Sequence, residues 1–287
     1  MGATQGPLMR VLITGAAGQV GRELVEIFAD HEVIAADRGL LDITRRDDVL
    51  QIVTTTRPDA IVHAAAWTAV DACEGDPDRA FLVNTLGARF VAEAARAVGA
   101  HLCHISTDYV FDGTKASPYV EWDEPNPQSV YGRSKLAGER ALGPEATIVR
   151  TSWVCGRYGS NMVKTVLRLA DEHERLSFVH DQVGHPTFAD DLARAVRLLV
   201  VDRRAGLFHV TNQGSCSWYE FAREVLKASG ADPDRVGPIA TADLVPARPA
   251  PRPANSVLDN AALRLSGLPL LPHYGETLDR LVRELRT

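Results

Sequence analysis

Along the first half of the chain, short apolar runs alternate with segments whose apolar positions recur every three or four residues. "VLITG" (11–15) is a β-branched run of the buried-strand type. The segment after it places Val20, Leu24, Ile27 and Phe28 on one helical face. "EVIAAD" (32–37) predicts the next strand, and "TRRDDVLQIV" (44–53) the next helix, with Thr44 placed to cap it. The alternation continues through the strand "DAIVHAAA" (59–66), a helix over 80–99, the strand "HLCHIST" (101–107), a helix opening at Ser129 and the strand "ATIVRTSWV" (146–154). Near-continuous apolar strands separated by helices predict a parallel sheet covered on both faces, a doubly wound α/β (Rossmann) fold.

Beyond 154 the order breaks down. A helix over 161–173 and the loop "DQVGHPT" (181–187) precede "ADDLARAVRLLVV" (189–201), which again reads as a sheet-covering helix, with Asp190 and Asp191 at its start as caps. The strand "GLFHVTN" (206–212) follows, and "SWYE" (217–220) has the capping-box pattern that opens a helix. "VPARPAPRPANS" (245–256) is too rich in proline for a helix or a central strand. Because the helical "ETLDRLVREL" (276–285) comes after it, it reads as an ordered loop. We therefore expect a dinucleotide-binding domain over 9–154 plus about 187–212, and a smaller C-terminal substrate-binding α/β lobe over about 155–186 plus 213–287.

Composition narrows the function classes. The chain has 287 residues, 45% of them hydrophobic and 24% charged, as in soluble globular proteins. A net charge of −6 without a basic cluster disfavours nucleic acid as a partner. No run approaches the roughly 18 apolar residues that a membrane span needs. The N-terminal "MGATQGPLMR" has no signal-type apolar core, and Gly6 breaks the myristoylation pattern. Cys73, Cys103, Cys155 and Cys216 form no C-x-x-C pair, which suits reduced thiols in the cytoplasm. None of the nine histidines stands at metal-ligand spacing, so no metal site is expected from them, and His101 and His104 at a strand read as structural.

"GAAGQVG" sets Gly15, Gly18 and Gly21 three apart, straight after the first strand and into the first helix. A tight turn and a close backbone approach to a pyrophosphate both exclude a Cβ there, and the helix N-terminus offers N–H groups to phosphate. Asp37 closes the second strand, where a carboxylate can bond adenosine ribose hydroxyls; a plain turn acid is the other reading. Arg38 beside it could accept a 2′-phosphate, which leaves NADH and NADPH both open. Asp42 and Ile43 begin a second loop that could wrap the adenine.

In "SVYGRSKLAGERAL" (129–142), Tyr131 and Lys135 stand one helical turn apart. An unperturbed tyrosine, with a pKa near ~10, is a slow acid at neutral pH, and a nearby cation lowers that value. Thr107, ending a strand beside Ser106, supplies a hydroxyl where doubly wound folds bind ligands, and it could steady a reacting carbonyl. Alone, Tyr-x-x-x-Lys reads as a solvated helix face; with the glycine turn and the strand-end threonine in this order, it reads as chemistry.

These motifs, with "AAAWTAVDACE" (64–74), "STDYVFDG" (106–113), "RTSWVCG" (150–156), "DQVGHPT" and "RPANSVLD" (252–259), make the chain similar to the extended short-chain dehydrogenase/reductases over nearly its whole length. Within them it resembles the reductases of dTDP-linked 4-keto-6-deoxy sugars. The resemblance implies NAD(P)H-dependent reduction of the C4 keto group of dTDP-4-dehydro-L-rhamnose to dTDP-L-rhamnose. Tyr131 would be the proton donor, Lys135 would lower its pKa, and Thr107 would bind the substrate oxygen. Gln19 and Val20 would cradle the cofactor with the glycines, and Ala65, Ala66 and Trp67 would line its nicotinamide side. Val70, Asp71, Asp108, Trp153, Arg252 and Asn255 would meet the nucleotide sugar. Some relatives form Mg²⁺-bridged homodimers, which here would draw on Glu23; a solvated helix carboxylate is the plainer reading. Cys155, Met162 and His185 depart from the usual residues, all in the substrate half, so a related nucleotide-linked ketosugar is the alternative substrate. A non-catalytic dinucleotide-binding regulatory subunit is a second alternative. Tyr109 after Thr107 and Asp108, where relatives that dehydrate carry glutamate, disfavours elimination.

Overall fold

The protein is described by a computed structural model for residues 8–286. The N-terminal readings at residues 1–7, Gly6 included, lie outside the described residues. Six parallel strands form the central sheet. β1 (Arg10–Thr14), β2 (Glu32–Ala36), β3 (Ala60–His63), β4 (His101–Thr107) and β5 (Thr147–Thr151) are joined by Gly206–His209, in the spatial order β2, β1, β3, β4, β5, Gly206–His209. The chain reverses direction across the sheet between β1 and β3, which opens a crevice at their carboxyl ends.

Strand periodicity assigns the two faces. Val11, Ile13, Val62, Cys103 and Val149 pack under helices Gln19–Ile27 and Ala189–Val201. Leu12, Ile61 and Leu102, one position out of phase with them, pack under Arg46–Thr56 and Gly87–Val98. Each such buried aliphatic side chain contributes about 1.5–3 kcal/mol, which is why the strands read as continuous apolar runs. On the second face the apolar rows end in Thr14, His63 and His104, two residues on in each strand and all buried.

A second core gathers Val163, Val166, Phe221, Val225, Leu278 and Leu281 from helices Met162–Glu172, Trp218–Ala228 and Tyr274–Arg286. They pack with the parallel pair Leu176–Val179 and Val236–Ile239. Leu263 and Leu271, late in the chain, pack on the sheet core instead. The capping box at Ser217 and Glu220 is formed in both directions. Residues 245–256 form a loop that bridges to the rest of the protein through hydrogen bonds, as expected.

Four local expectations are corrected. Thr44 does not cap: its N–H and hydroxyl donate to Asp42 Oδ1 at 3.0 and 2.7 Å, and the helix starts at Arg46 with Arg45 as N-cap. The helix expected over 80–99 is a continuous run of Pro77–Phe81, a π-helical Leu82–Leu86, and Gly87–Val98. The strand expected over 146–154 breaks after Thr151, because Trp153 takes a left-handed φ of 46° before Val154–Cys155 resumes. Asp190 and Asp191 lie in the first turn behind the N-cap Phe188, and Asp191 accepts from Asn212 and Thr277.

Candidate active site

Two joined cavities of about 470 and 320 Å³ occupy the crevice, sharing Gly15, Gly18, Ala64 and Ala66. The glycine turn forms their common wall. Gly15 sits at φ +70°, and a Cβ on it would lie 2.7 Å from Ala65 N; one on Gly21 would lie 2.1 Å from Gly15 O. Gly18 is the N-cap of Gln19–Ile27 with no side-chain cap, and no acid occupies the first turn. The first amides and the positive end of that helix are therefore left for an anion, and this cradle fits the pyrophosphate of a dinucleotide. Gln19 also joins the two halves of the molecule: its Nε2 donates to Val154 O at 2.8 Å, and its Oε1 accepts from Asn161 at 2.9 Å.

The smaller cavity is lined by Asp37, Arg38, Asp42, Ile43, Ala65 and Trp67, among others. Asp37 Oδ1 accepts from the amides of Gly39 and Leu40 at 2.9 and 3.0 Å, so it closes the turn while bordering the cavity. Arg38 is largely exposed and stands 3.8 Å from Asp42. The hydrogen bonds from Thr44 hold the Asp42 carboxyl below its ordinary range. Arg79 stacks over Trp67 at 4.4 Å. Asn84, brought inward by the π-helical turn, accepts from Trp67 N at 2.8 Å and donates to Trp67 O and Ser134 Oγ at 3.1 and 3.0 Å. It thus ties the loop holding Trp67 to the helix that carries Tyr131. The sequence reading missed Asn84, whose only signal was a polar residue inside an apolar helical stretch.

The larger cavity brings together Thr107, Asp108, Tyr131, Lys135, Val70 and Trp153. Tyr131 and Lys135 lie on Val130–Arg140, which is N-capped by Ser129. Thr107 Oγ1 donates to Asp108 Oδ1 at 3.0 Å and accepts from Tyr109 N at 3.2 Å. Burial pushes Asp108 up to about 6 and raises the Tyr131 phenol well above its usual value, with the Thr107 hydroxyl pulling the phenol partly back. In the protein by itself, desolvation is the largest influence on the Tyr131 phenol. Lys135 Nζ donates to Ile105 O at 2.7 Å and stands 3.2 Å from His104 Nε2, and burial brings it down to about 8.

Trp153 is stacked on Trp218 with ring centroids 3.4 Å apart, and Trp218 also lines the cavity. Trp218 is a second residue the sequence reading missed; it was absorbed into a helix start. Asp71 and Arg252 pair with each other, Nη1–Oδ1 2.9 Å and Nη2–Oδ2 2.7 Å, which holds Asp71 below its ordinary range and fastens the proline loop over helix Val70–Gly75. Asn255 braces another loop, donating to Lys115 O and Ser117 O and accepting from Val257 N. Neither Arg252 nor Asn255 is among the residues that line the two cavities.

The sequence profile described as RmlD substrate binding domain matches residues 9–287. The chain belongs to the RmlD substrate-binding-domain family. A dTDP-4-dehydrorhamnose reductase of Streptomyces griseus is 43% identical, covering 95% of this chain and 92% of its own length. A dTDP-4-keto-6-deoxy-D-glucose reductase of Streptomyces niveus is 42% identical, over 94% and 95%. The crystal structure of a dTDP-4-dehydrorhamnose reductase from Bacillus anthracis in complex with NADP superposes with a TM-score of 0.93 at 42% identity, covering 97% of this chain and all of that one.

In this RmlD-family chain the departing residues Cys155, Met162 and His185 lie outside the cavity lining. Cys155 and Met162 pack in the second core, and His185 Nδ1 meets Thr211 Oγ1 at 2.9 Å. Glu23 is buried and accepts both arms of Arg157 at 3.0 Å, so its charge is already answered. Among the described residues, no cluster of three His, Cys, Asp or Glu could hold a metal ion, and nothing supports the Mg²⁺ suggested by resemblance. Among those residues too, no helix is long and apolar enough to cross a membrane.

Proposed function

We propose that the protein reduces the C4 keto group of dTDP-4-dehydro-L-rhamnose with NAD(P)H, giving dTDP-L-rhamnose. The observation that carries this reading is the full-length family match of a chain in which Thr107, Tyr131 and Lys135 border the same cleft as the glycine turn. A reduced nicotinamide, when bound, supplies the hydride that adds to C4. Gly15, Gly18, Gln19, Val20 and Gly21 hold its pyrophosphate, Asp37, Asp42 and Ile43 its adenosine, and Ala65, Ala66 and Trp67 its nicotinamide side.

Tyr131 is the acid: its O–H bond breaks as a new O–H bond forms at the former carbonyl oxygen, leaving an alcohol and a phenolate. A phenol raised by burial is fully protonated at neutral pH, the form that a reduction consumes. Thr107 turns its hydroxyl from Asp108 to the same oxygen and stabilises the developing negative charge. Lys135 bonds the nicotinamide ribose and, as a cation, favours the phenolate that Tyr131 becomes. Asp108 and Trp153 face the sugar, Val70 and Asp71 belong to the substrate loop, and Arg252 and Asn255 meet the nucleotide diphosphate. All four cysteines are free and buried, and a cytoplasmic location belongs with the proposal; a homodimer is the assembly we propose with it.

The test is NADPH and NADH oxidation by the purified protein with dTDP-4-dehydro-L-rhamnose, the product being identified by NMR. Substrate-dependent oxidation to dTDP-L-rhamnose is expected. No oxidation of this substrate while dTDP-4-keto-6-deoxy-D-glucose is turned over would replace the sugar, and NADPH binding without turnover of either would leave only a binding protein.

A further inference from the structure

The row of polar side chains beneath the cleft has no part in the chemistry above. Thr14, His63 and His104 stand side by side in register on β1, β3 and β4, where Leu12, Ile61 and Leu102 occupy the same face two residues earlier. Thr14 Oγ1 meets His63 Nδ1 at 2.7 Å. The His63 and His104 rings stack at 5.1 Å and 30°, and His104 Nε2 meets Lys135 Nζ at 3.2 Å. Both imidazoles are buried, and His63 Nε2 and His104 Nδ1 have no hydrogen-bond partner among the described residues. A core shaped only for stability would continue the aliphatic rows, because unpartnered buried polar atoms are costly.

We propose that His104 is a positioning residue for Lys135, a buried neutral imidazole that accepts a hydrogen bond from the ammonium and keeps its remaining donor aimed into the cofactor cleft. An ammonium has three donors. Ile105 O and His104 Nε2 take two of them, which leaves one for a ligand hydroxyl, and Lys135 does line the cavity. For Nε2 to accept, the imidazole carries its single proton on Nδ1; a second proton would set two cations face to face. The inference rests on the role given to Lys135 above.

His63 and His104 face the lysine from β3 and β4, Asp108 lies just past the end of β4, and Tyr131 and Glu139 lie on its own helix. Glu139 is already answered by Arg150 of β5 at 2.7 Å. Loss of the His104 acceptor therefore withdraws support from the charged form of Lys135, and it should deprotonate at lower pH.

The experiment compares His104→Phe and His104→Gln with the parent, using fluorescence titration of NADPH from about pH 6 to 10, with kcat/KM profiles alongside. Gln places an amide oxygen near the position of Nε2. We expect His104→Phe to weaken NADPH binding roughly 5–10-fold and to move the basic limb down by about half to one pH unit, while His104→Gln stays near the parent. If the Phe variant does not fold, His104→Asn, whose carbonyl is too short to reach Nζ, takes its place against Gln. A parental basic limb in the Phe or Asn variant, or equal losses in it and Gln without a shifted limb, overturns the proposal. NADPH binding is read without substrate, so failure of the parent to reduce any ketosugar would sink the reductase reading and leave this test standing.

Discussion

Tyr131 is 7% exposed and packs edge-on against Tyr109, with ring centroids 5.6 Å apart, so its phenol is largely shielded from water. Removing only its oxygen separates the proton from the packing. Tyr131→Phe is expected to lower kcat by roughly 10²–10⁴-fold, the usual value of a general acid, with NADPH affinity within about twofold of the parent; steady-state kinetics beside a binding titration decides it. Asp37 has two places in one carboxylate, closing the turn after β2 and bordering the smaller cavity. Asp37→Ala should raise KM for NADH about 10–100-fold, the worth of a hydrogen bond to a charged group, and should harm NADPH less. An unchanged ratio of kcat/KM for the two cofactors would take Asp37 off the ribose.

Helix Val130–Arg140 carries Tyr131, Lys135 and Glu139 on one stripe, each a turn apart, and each engages a different neighbour. Glu139 receives Arg150 through Nε at 3.0 Å and Nη2 at 2.7 Å, accepts from Ser106 as well, and is buried. Arg150 lies over the Phe111 ring, with one guanidinium nitrogen unpartnered. This pair locks the helix to β4 and β5, and thereby fixes where the stripe meets the cleft. Breaking a buried pair from one side strands the other charge. Glu139→Ala is expected to cost about 3–5 kcal/mol in urea unfolding, whereas a change under about 1 kcal/mol would mean that the pair is no more than a surface-like contact. The helix starts at Ser129 and Ser217 were legible because Ser at those positions bonds its own chain. The π-helical turn at Leu82–Leu86 was not, since its cause is Asn84 reaching Trp67 and Ser134, residues remote in sequence.

Across the whole molecule, burial keeps several histidines neutral. Desolvation takes His63 and His209 down to about 3 and His185 to about 4, and it lowers His104 well below its ordinary value. Their folded pKa values lie below the unfolded value of ~6.5. As pH falls through ~6.5 the unfolded chain takes up protons that the folded one refuses, and stability is lost progressively toward those lower values. Asp108 and Glu121, raised by burial, act in the opposite sense over the carboxylate range and offset part of the loss. Thermal unfolding should therefore show a clearly lower Tm near pH 4.5 than near pH 7, since a single histidine held at about 3 withdraws on the order of 3 kcal/mol by pH 4.5 and the raised carboxylates offset only part of the sum. A Tm that stays flat or rises over that interval would mean that the imidazoles are protonated in the fold.

What the sequence determined by itself were features whose physical cause is local. The strand–helix alternation, the glycines that leave no room for a Cβ, the Tyr131 and Lys135 spacing and the capping box all act within a few residues, so a linear reading finds them. Tertiary structure decided what depends on residues far apart in the chain. Only the parallel register of β1, β3 and β4 makes a row of Thr14, His63 and His104 and sets it under Lys135; in sequence, His104 was one more strand histidine. Only the folded loops pair Arg252 with Asp71 and bring Asn255 against Lys115 and Ser117, contacts between residues far apart in the chain that no linear reading supplies. Dielectric surroundings are likewise a property of the packed molecule: spacing sets Lys135 one turn from Tyr131, and the dry pocket raises the phenol.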